Sequence, residues 1–169
     1  MSCPIGQICE VERDYCGPQS PGQVAASERL ARAAIHPIHF DPKSGKVKVA
    51  FIRQSDLAHG HLSVWRLEKL PSQDPDELQG FFGARCNAEH SVKEVYAPPA
   101  SAVRLLSLPQ DGRGYCVLDD TKTGPEDEDV DPAHAAITLC HQKRDHGDDE
   151  TKLRFAREAL KSLFLTHPV

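Results

Sequence analysis

Apolar and polar side chains alternate most clearly between Lys46 and Leu67. Val47, Val49 and Phe51 are interleaved with Lys46, Lys48 and Ala50, which gives a strand one apolar face and one mostly polar face. The alternation resumes at His61, with Leu62 and Val64 on one face and His61, Ser63 and Trp65 on the other. Gln54 to Gly60 joins the two runs as a loop, and the turn cluster Asp41-Pro42-Lys43-Ser44-Gly45 precedes the first. With Ile38 and Phe40 as a third arm, the pattern predicts a β-meander from about Ile35 to Leu67. Val47, Val49, Phe51, Leu62 and Val64 are expected to face the core.

Other elements follow from local signals. Gln23 to Ala34 is rich in helix formers and reads as a short helix. Asp74, Pro75 and Glu77 stand at N-cap, N1 and N3 of a second helix that presents Leu78, Phe81 and Phe82. Val92 to Tyr96, Tyr115 to Leu118 and His134 to Cys140 read as strands, and Ser101 to Leu108 as a short helix. A last helix, capped by Asp148 or Asp149 and running to Leu165, carries the stripe Leu153, Ala156, Leu160, Leu163 and Phe164. Strands and helices do not alternate strictly. The fold class expected is therefore α+β, a mainly antiparallel sheet built on the central meander with a C-terminal amphipathic helix.

Composition narrows the function classes. A chain of 169 residues with 39% hydrophobic side chains has enough apolar material for one core, so a single domain is expected over 23–169. Residues 1–22 hold Cys3, Cys9 and Cys16 among prolines and glycines, and read as a loop-rich leader. The formal net charge of −5 argues against general attraction to nucleic acid. No apolar run approaches the ~20 residues of a membrane span. Met1 to Asp14 lacks the basic and apolar regions of a secretory signal, so a cytoplasmic location with reduced thiols is expected.

Candidate chemistry is sparse. Phosphate-loop, dinucleotide, zincin and nucleophile-elbow motifs are all absent from the sequence. His59 and His61, two residues apart, would share a strand face and bracket a metal or phosphate, with Asp56 placed to orient one ring. His61-Leu62-Ser63 matches only half of the paired motif of two-histidine phosphoesterases. Cys3, Cys9 and Cys16 would need a fourth ligand to hold zinc and lack the close ligand pairing usual in structural sites, so no cofactor is expected. Cys140-His141 suggests a thiol nucleophile, but neighbours on a strand point to opposite faces. The acidic run from Asp119 to Asp131 lacks the spacing of a calcium loop and reads as a solvated or partner-facing segment.

His36-Pro37, Ala50-Phe51 and Leu62-Ser63-Val64 followed by Arg66 resemble a pattern in small uncharacterised bacterial proteins, with Val49 as a departure from it. The resemblance implies a bacterial stand-alone domain and carries no activity. The function expected is that of a small cytosolic accessory subunit that binds another protein. Trp65, Arg66 and Ser63 are its candidate docking residues. The alternative is a hydrolase, metal-dependent or not, using His59 and His61.

Overall fold

A computed structural model describes residues 5–15, 20–59, 61–108, 113–121, 131–140 and 149–169. Its centre is a five-stranded antiparallel sheet of β1 (Leu30–His36), β2 (Leu62–Arg66), β3 (Ser91–Tyr96), β4 (Tyr115–Leu118) and β5 (His134–Leu139), in the order β3-β1-β2-β5-β4. The helices are α1 (Glu10–Asp14), α2 (Gln54–His59), α3 (Pro75–Gly83), α4 (Ala100–Leu105) and α5 (Glu150–Leu165). The α+β class, the antiparallel sheet and the C-terminal helix are as the sequence indicates.

Both faces of the sheet are covered. On one face Leu30, Leu62, Val64, Tyr115, Val117, Ile137 and Leu139 pack with Phe51, Leu57 of α2, Val103 of α4, and Leu153, Ala156, Leu160 and Phe164 of α5. On the other, α3 packs Leu78 and Phe82 against Ala31, Ala33 and Val95. Beside it, α1 and its neighbours cover Cys116, Leu118, Ala136 and Cys140.

This two-sided burial explains the main departure from the sequence pattern. The run Leu-Ala-Arg-Ala-Ala-Ile-His lies in β1, not in a helix over Gln23 to Ala34. Helix propensity is a weak preference, and β1 is paired on both sides, with β2 and with β3. Alanines suit this position because they let elements approach closely on both faces.

The first arm of the expected hairpin is also different. Val47 makes a single bridge to Phe40, and Val49–Phe51 form a 3-10 turn, so β2 pairs with β1 and β5 instead. Asp41 closes the turn before it, accepting from the backbone N–H of Lys43 (3.0 Å) and Ser44 (2.7 Å), and Gly45 takes the positive φ of 68° that a side chain would resist. The alternating run had no neighbouring strand to complete it. Phe51, Leu62 and Val64 are nonetheless fully buried, as their pattern indicates. Gln54 to His59 is α2 and not a loop.

Helix starts fall where their caps put them. Asp74 accepts from the backbone N–H of Asp76 and Glu77, and Asp149 from those of Thr151 and Lys152.

Described residues of the segment expected as a loop-rich leader, 5–15 and 20–22, pack against the rest of the fold. Cys9 is fully buried, and Glu12 is only 2% exposed. The Glu12 carboxylate accepts from Arg104 Nε at 3.1 Å, Arg113 Nη2, and the backbone N–H of Val117 at 2.7 Å and Cys9 at 3.4 Å. Gly22 accepts from Arg66 Nη1 at 2.7 Å.

Removing one partner of a buried ion pair leaves an uncompensated charge, at a cost of about 3–5 kcal/mol. Glu12→Gln is therefore expected to lower stability by about that amount in urea unfolding. A loss below about 1 kcal/mol would show that α1 is only loosely attached.

Candidate functional site

One concave site gathers charged side chains from separate parts of the chain. It is a cleft of about 490 Å³ lined by Arg32 and Ile35 of β1, Ile38, His39, Ala50, Arg53, Gln54 and Asp56 of α2, and Arg157 of α5. Its volume lies within the range of small-ligand sites.

The three arginines are held differently. Arg32 lies on the α2 and α5 face of the sheet and donates from Nε to the Phe51 carbonyl at 3.1 Å and from Nη1 to the Ser63 carbonyl at 2.7 Å. Its guanidinium also stands 5.5 Å from the centre of the Phe51 ring. Arg157 donates to the carbonyls of Ile52 (2.7 Å) and Val49 (3.3 Å) and to Gln54 Oε1 (3.4 Å). Arg53 is exposed, and its guanidinium has no hydrogen-bond or ion-pair partner among the described residues. Carbonyl oxygens fix the first two guanidiniums without neutralising them. Asp56 shares the cleft but forms no ion pair with any of the three among the described residues.

Burial lowers the Arg32 guanidinium to about 10, with Asp56 opposing and Arg53 adding to the effect, and it stays charged at neutral pH. Burial likewise pulls His39 down to about 4, and Arg32, Lys48, Arg53 and His90 push the same way. His39 is thus a neutral imidazole. Its Nδ1 accepts the Ile35 backbone N–H at 3.0 Å, which leaves the ring proton on Nε2 as a donor. The cleft therefore offers three cations, one neutral N–H donor, one amide and one carboxylate. That set recognises an anion with several acceptor oxygens.

The residues singled out by sequence pattern fall elsewhere, Asp56 excepted. His59 ends α2, and its side chain lies outside the described residues. His61 is exposed at the start of β2, on the α1 side of the sheet. It meets Asp120 Oδ2 at 3.5 Å and the edge of Tyr15 at 5.8 Å. Hydrogen bonding from His61 holds the Asp120 carboxyl below its ordinary value. α2 covers the opposite face, so Asp56 and His61 do not form one site.

Trp65 shares a face with Ser63, as alternation requires, but α3 occupies that face. The indole packs edge-on against Phe81 (6.4 Å), Phe82 (5.3 Å) and His134 (5.3 Å), and Nε1 donates to Asp131 at 2.9 Å. Arg66 points to the other face and is buried, paired with Glu28 at 2.5 Å and Asp119 at 3.2 Å. Of the expected docking residues, Trp65 and Arg66 are thus engaged by other parts of the fold, and Ser63 is half-buried.

Cys3, Cys16, His141 and the middle of the acidic run lie outside the described residues. The ends of that run are used inside the fold, Asp119 by Arg66 and Asp120 by Tyr15 and His61. The signal for the cleft that a sequence reading passes over is Arg32, a lone cation in an otherwise apolar run, Leu30 to Ile35.

No family model matches the chain, and no curated protein or solved structure matches it.

His39 supplies a pH test. Its folded value of about 4 lies below the unfolded value of about 6.5, so the unfolded chain takes up a proton first as pH falls. The His39 contribution is full above about pH 6.5 and is lost between there and pH 4, by up to about 1.4 kcal/mol per pH unit. Urea unfolding at pH 7, 6 and 5 should show a steeper loss for the wild type than for His39→Gln. Equal slopes, or a His39 resonance titrating near 6.5, would contradict the assignment.

Proposed function

We propose that this chain is a binding protein whose cleft between β1, α2 and α5 receives the phosphoryl-bearing end of its ligand. One observation carries the reading. Arg32, Arg53 and Arg157 converge on a single cleft without an ion-pair partner among the described residues, in a chain whose formal net charge is −5. A local excess of cations against an acidic whole is not explained by a generally basic surface. It attracts an anion specifically and speeds its capture.

A phosphoryl group fits better than a carboxylate. Three guanidiniums and the His39 Nε2–H supply more donors than one carboxylate can accept, and they approach from three elements instead of one plane. Ile35, Ile38 and Ala50 give the cleft an apolar flank for the rest of the ligand. Asp56 is the one acceptor suited to a ligand hydroxyl or amine.

The sequence suggests a subunit that binds another protein, whereas the cleft supports binding of an anionic ligand, and in a different place. A partner protein gripping Trp65 would have to displace α3, whereas the arginine cleft is open. The hydrolase alternative rests on His59 and His61, and neither lines the cleft: His61 meets Asp120 and Tyr15 on the other face of the sheet, and the His59 side chain lies outside the described residues. Three guanidiniums also disfavour a metal cation beside His39 and Asp56.

The test is titration calorimetry with inorganic pyrophosphate at low ionic strength. Saturable binding is expected, weakening as salt is raised. Arg53→Ala should lower the affinity at least tenfold, about 1.4 kcal/mol, and Arg53→Lys should lower it less. Lys93→Ala, outside the cleft, should leave it unchanged. No binding, or equal binding by Arg53→Ala, would overturn the proposal.

A further inference from the structure

A second cluster, remote from the arginine cleft, joins the N-terminal segment to the sheet. Cys9, the residue before α1, places its Sγ 3.4 Å from Sγ of Cys116 on β4, and both side chains are fully buried. A third thiol, Cys140, follows β5 beside them; β4 and β5 pair Cys116 with Thr138, so Cys140 is the diagonal neighbour on the same face. Three thiols from three segments therefore lie in one apolar cluster, with Val11 and Tyr15 packed over it.

Two chemistries suit such a cluster. Cys9, Glu12 and Cys116 bring one ligand atom each within 4.8 Å of one another, which is close enough for a metal ion. The Glu12 carboxylate, however, is already engaged on both oxygens by Arg104, Arg113 and two backbone N–H groups. A cation there would displace those bonds and stand beside two buried guanidiniums. Arg104 already has one nitrogen, Nη1, without a hydrogen-bond partner among the described residues. The local field disfavours a metal, and the Cys9–Cys116 sulfur contact is left as the reactive feature.

We propose that Cys9 and Cys116 form a redox-closed staple, a disulfide that fastens α1 to β4 when the protein meets a peroxide. One cysteine sulfur attacks a peroxide oxygen and becomes a sulfenic acid as the O–O bond breaks and the first water leaves. The second sulfur then displaces the sulfenic oxygen, so the S–S bond forms and a second water leaves. In sum, two thiols and one hydrogen peroxide give one disulfide and two waters. Both sulfurs are fully buried, so a peroxide reaches them when the N-terminal segment opens locally, and Cys9, at the start of a helix of only five residues, is the member such opening exposes, while Cys116 and Cys140 are held in sheet hydrogen bonding. The Cys140 thiol and burial both raise Cys116 above the usual thiol range, so closure awaits activation of Cys9 by the oxidant.

The consequence is mechanical. Cys9 and Cys116 are 107 positions apart, and a cross-link closing so long a loop removes much of the freedom of the unfolded chain. It would also hold Glu12 between Arg104 and Arg113.

The experiment exposes the full chain to hydrogen peroxide, blocks residual thiols and maps the linked peptides by mass spectrometry, with thermal unfolding measured in parallel. The expected result is a Cys9–Cys116 link and a midpoint rise of more than about 5 °C, reversed by a dithiol reductant. Cys9→Ser should lose both effects, and Cys86→Ser should keep both. A link from Cys116 to Cys140, or from Cys9 to Cys3 or Cys16, would overturn the proposal. So would oxidation of Cys86 alone, or a tightly bound zinc that protects Cys9 and Cys116 until a chelator removes it.

Discussion

Apart from the exposed half of β3, the sheet is buried on both faces, and most of the molecule follows from that constraint. A sheet with one wet face can alternate apolar and polar residues, but here α2, α4 and α5 lie on one side and α1 and α3 on the other. β1, β4 and β5 respond by losing their alternation. β4 is apolar throughout, β5 runs Ala135-Ala136-Ile137 without a polar break, and β1 carries Ala31, Ala33 and Ala34. Small side chains set the spacing between layers, while the larger ones, Phe51, Phe82, Tyr115 and Phe164, come from or contact the covering elements. Tyr115 reaches across to donate to the Ala156 carbonyl of α5 at 2.6 Å.

Charges trapped by this arrangement divide into two kinds. Arg66 with Glu28 and Asp119, and Arg104 and Arg113 with Glu12, are closed sets in which each cation meets a carboxylate. Such pairs add little net stability, since desolvation offsets the attraction, but they are costly to break and so fix where the N-terminal segment crosses the fold. Arg32, Arg53 and Arg157 are of the other kind. Two are held by carbonyls and the third has no partner among the described residues, so no described carboxylate forms an ion pair with the group. A ligand anion would complete there what Glu12 completes at the other end of the sheet.

What could be read in the sequence was local. Asp74 and Asp149 announce α3 and α5 because a cap acts within one helical turn, and β3, β4 and β5 are short runs whose composition suits a buried strand. β1 could not be read this way, because its strand character comes from β2 and β3, which lie tens of residues away. Val47 to Phe51 shows the converse, an alternating run that stays out of the sheet for want of a partner. Trp65 looked like a docking residue because nothing in its own strand shows that Phe81 and Phe82 lie over it. The cleft was the least legible feature. Arg32, Arg53 and Arg157 are far apart in the chain, and only the packing of α2 and α5 on β1 brings them together. Asp56 alone links the sequence-based candidates to it.

Three guanidiniums that act together on one anion must respond to it together. The most direct measurement follows the arginine side-chain Nε–H resonances by NMR while inorganic pyrophosphate is added at constant ionic strength. The signals of Arg32, Arg53 and Arg157 are expected to shift together along one saturating curve, while those of Arg66, Arg104 and Arg113 stay in place. Shifts spread evenly over exposed arginines without saturation, or a stationary Arg32, would contradict the joint action of the three.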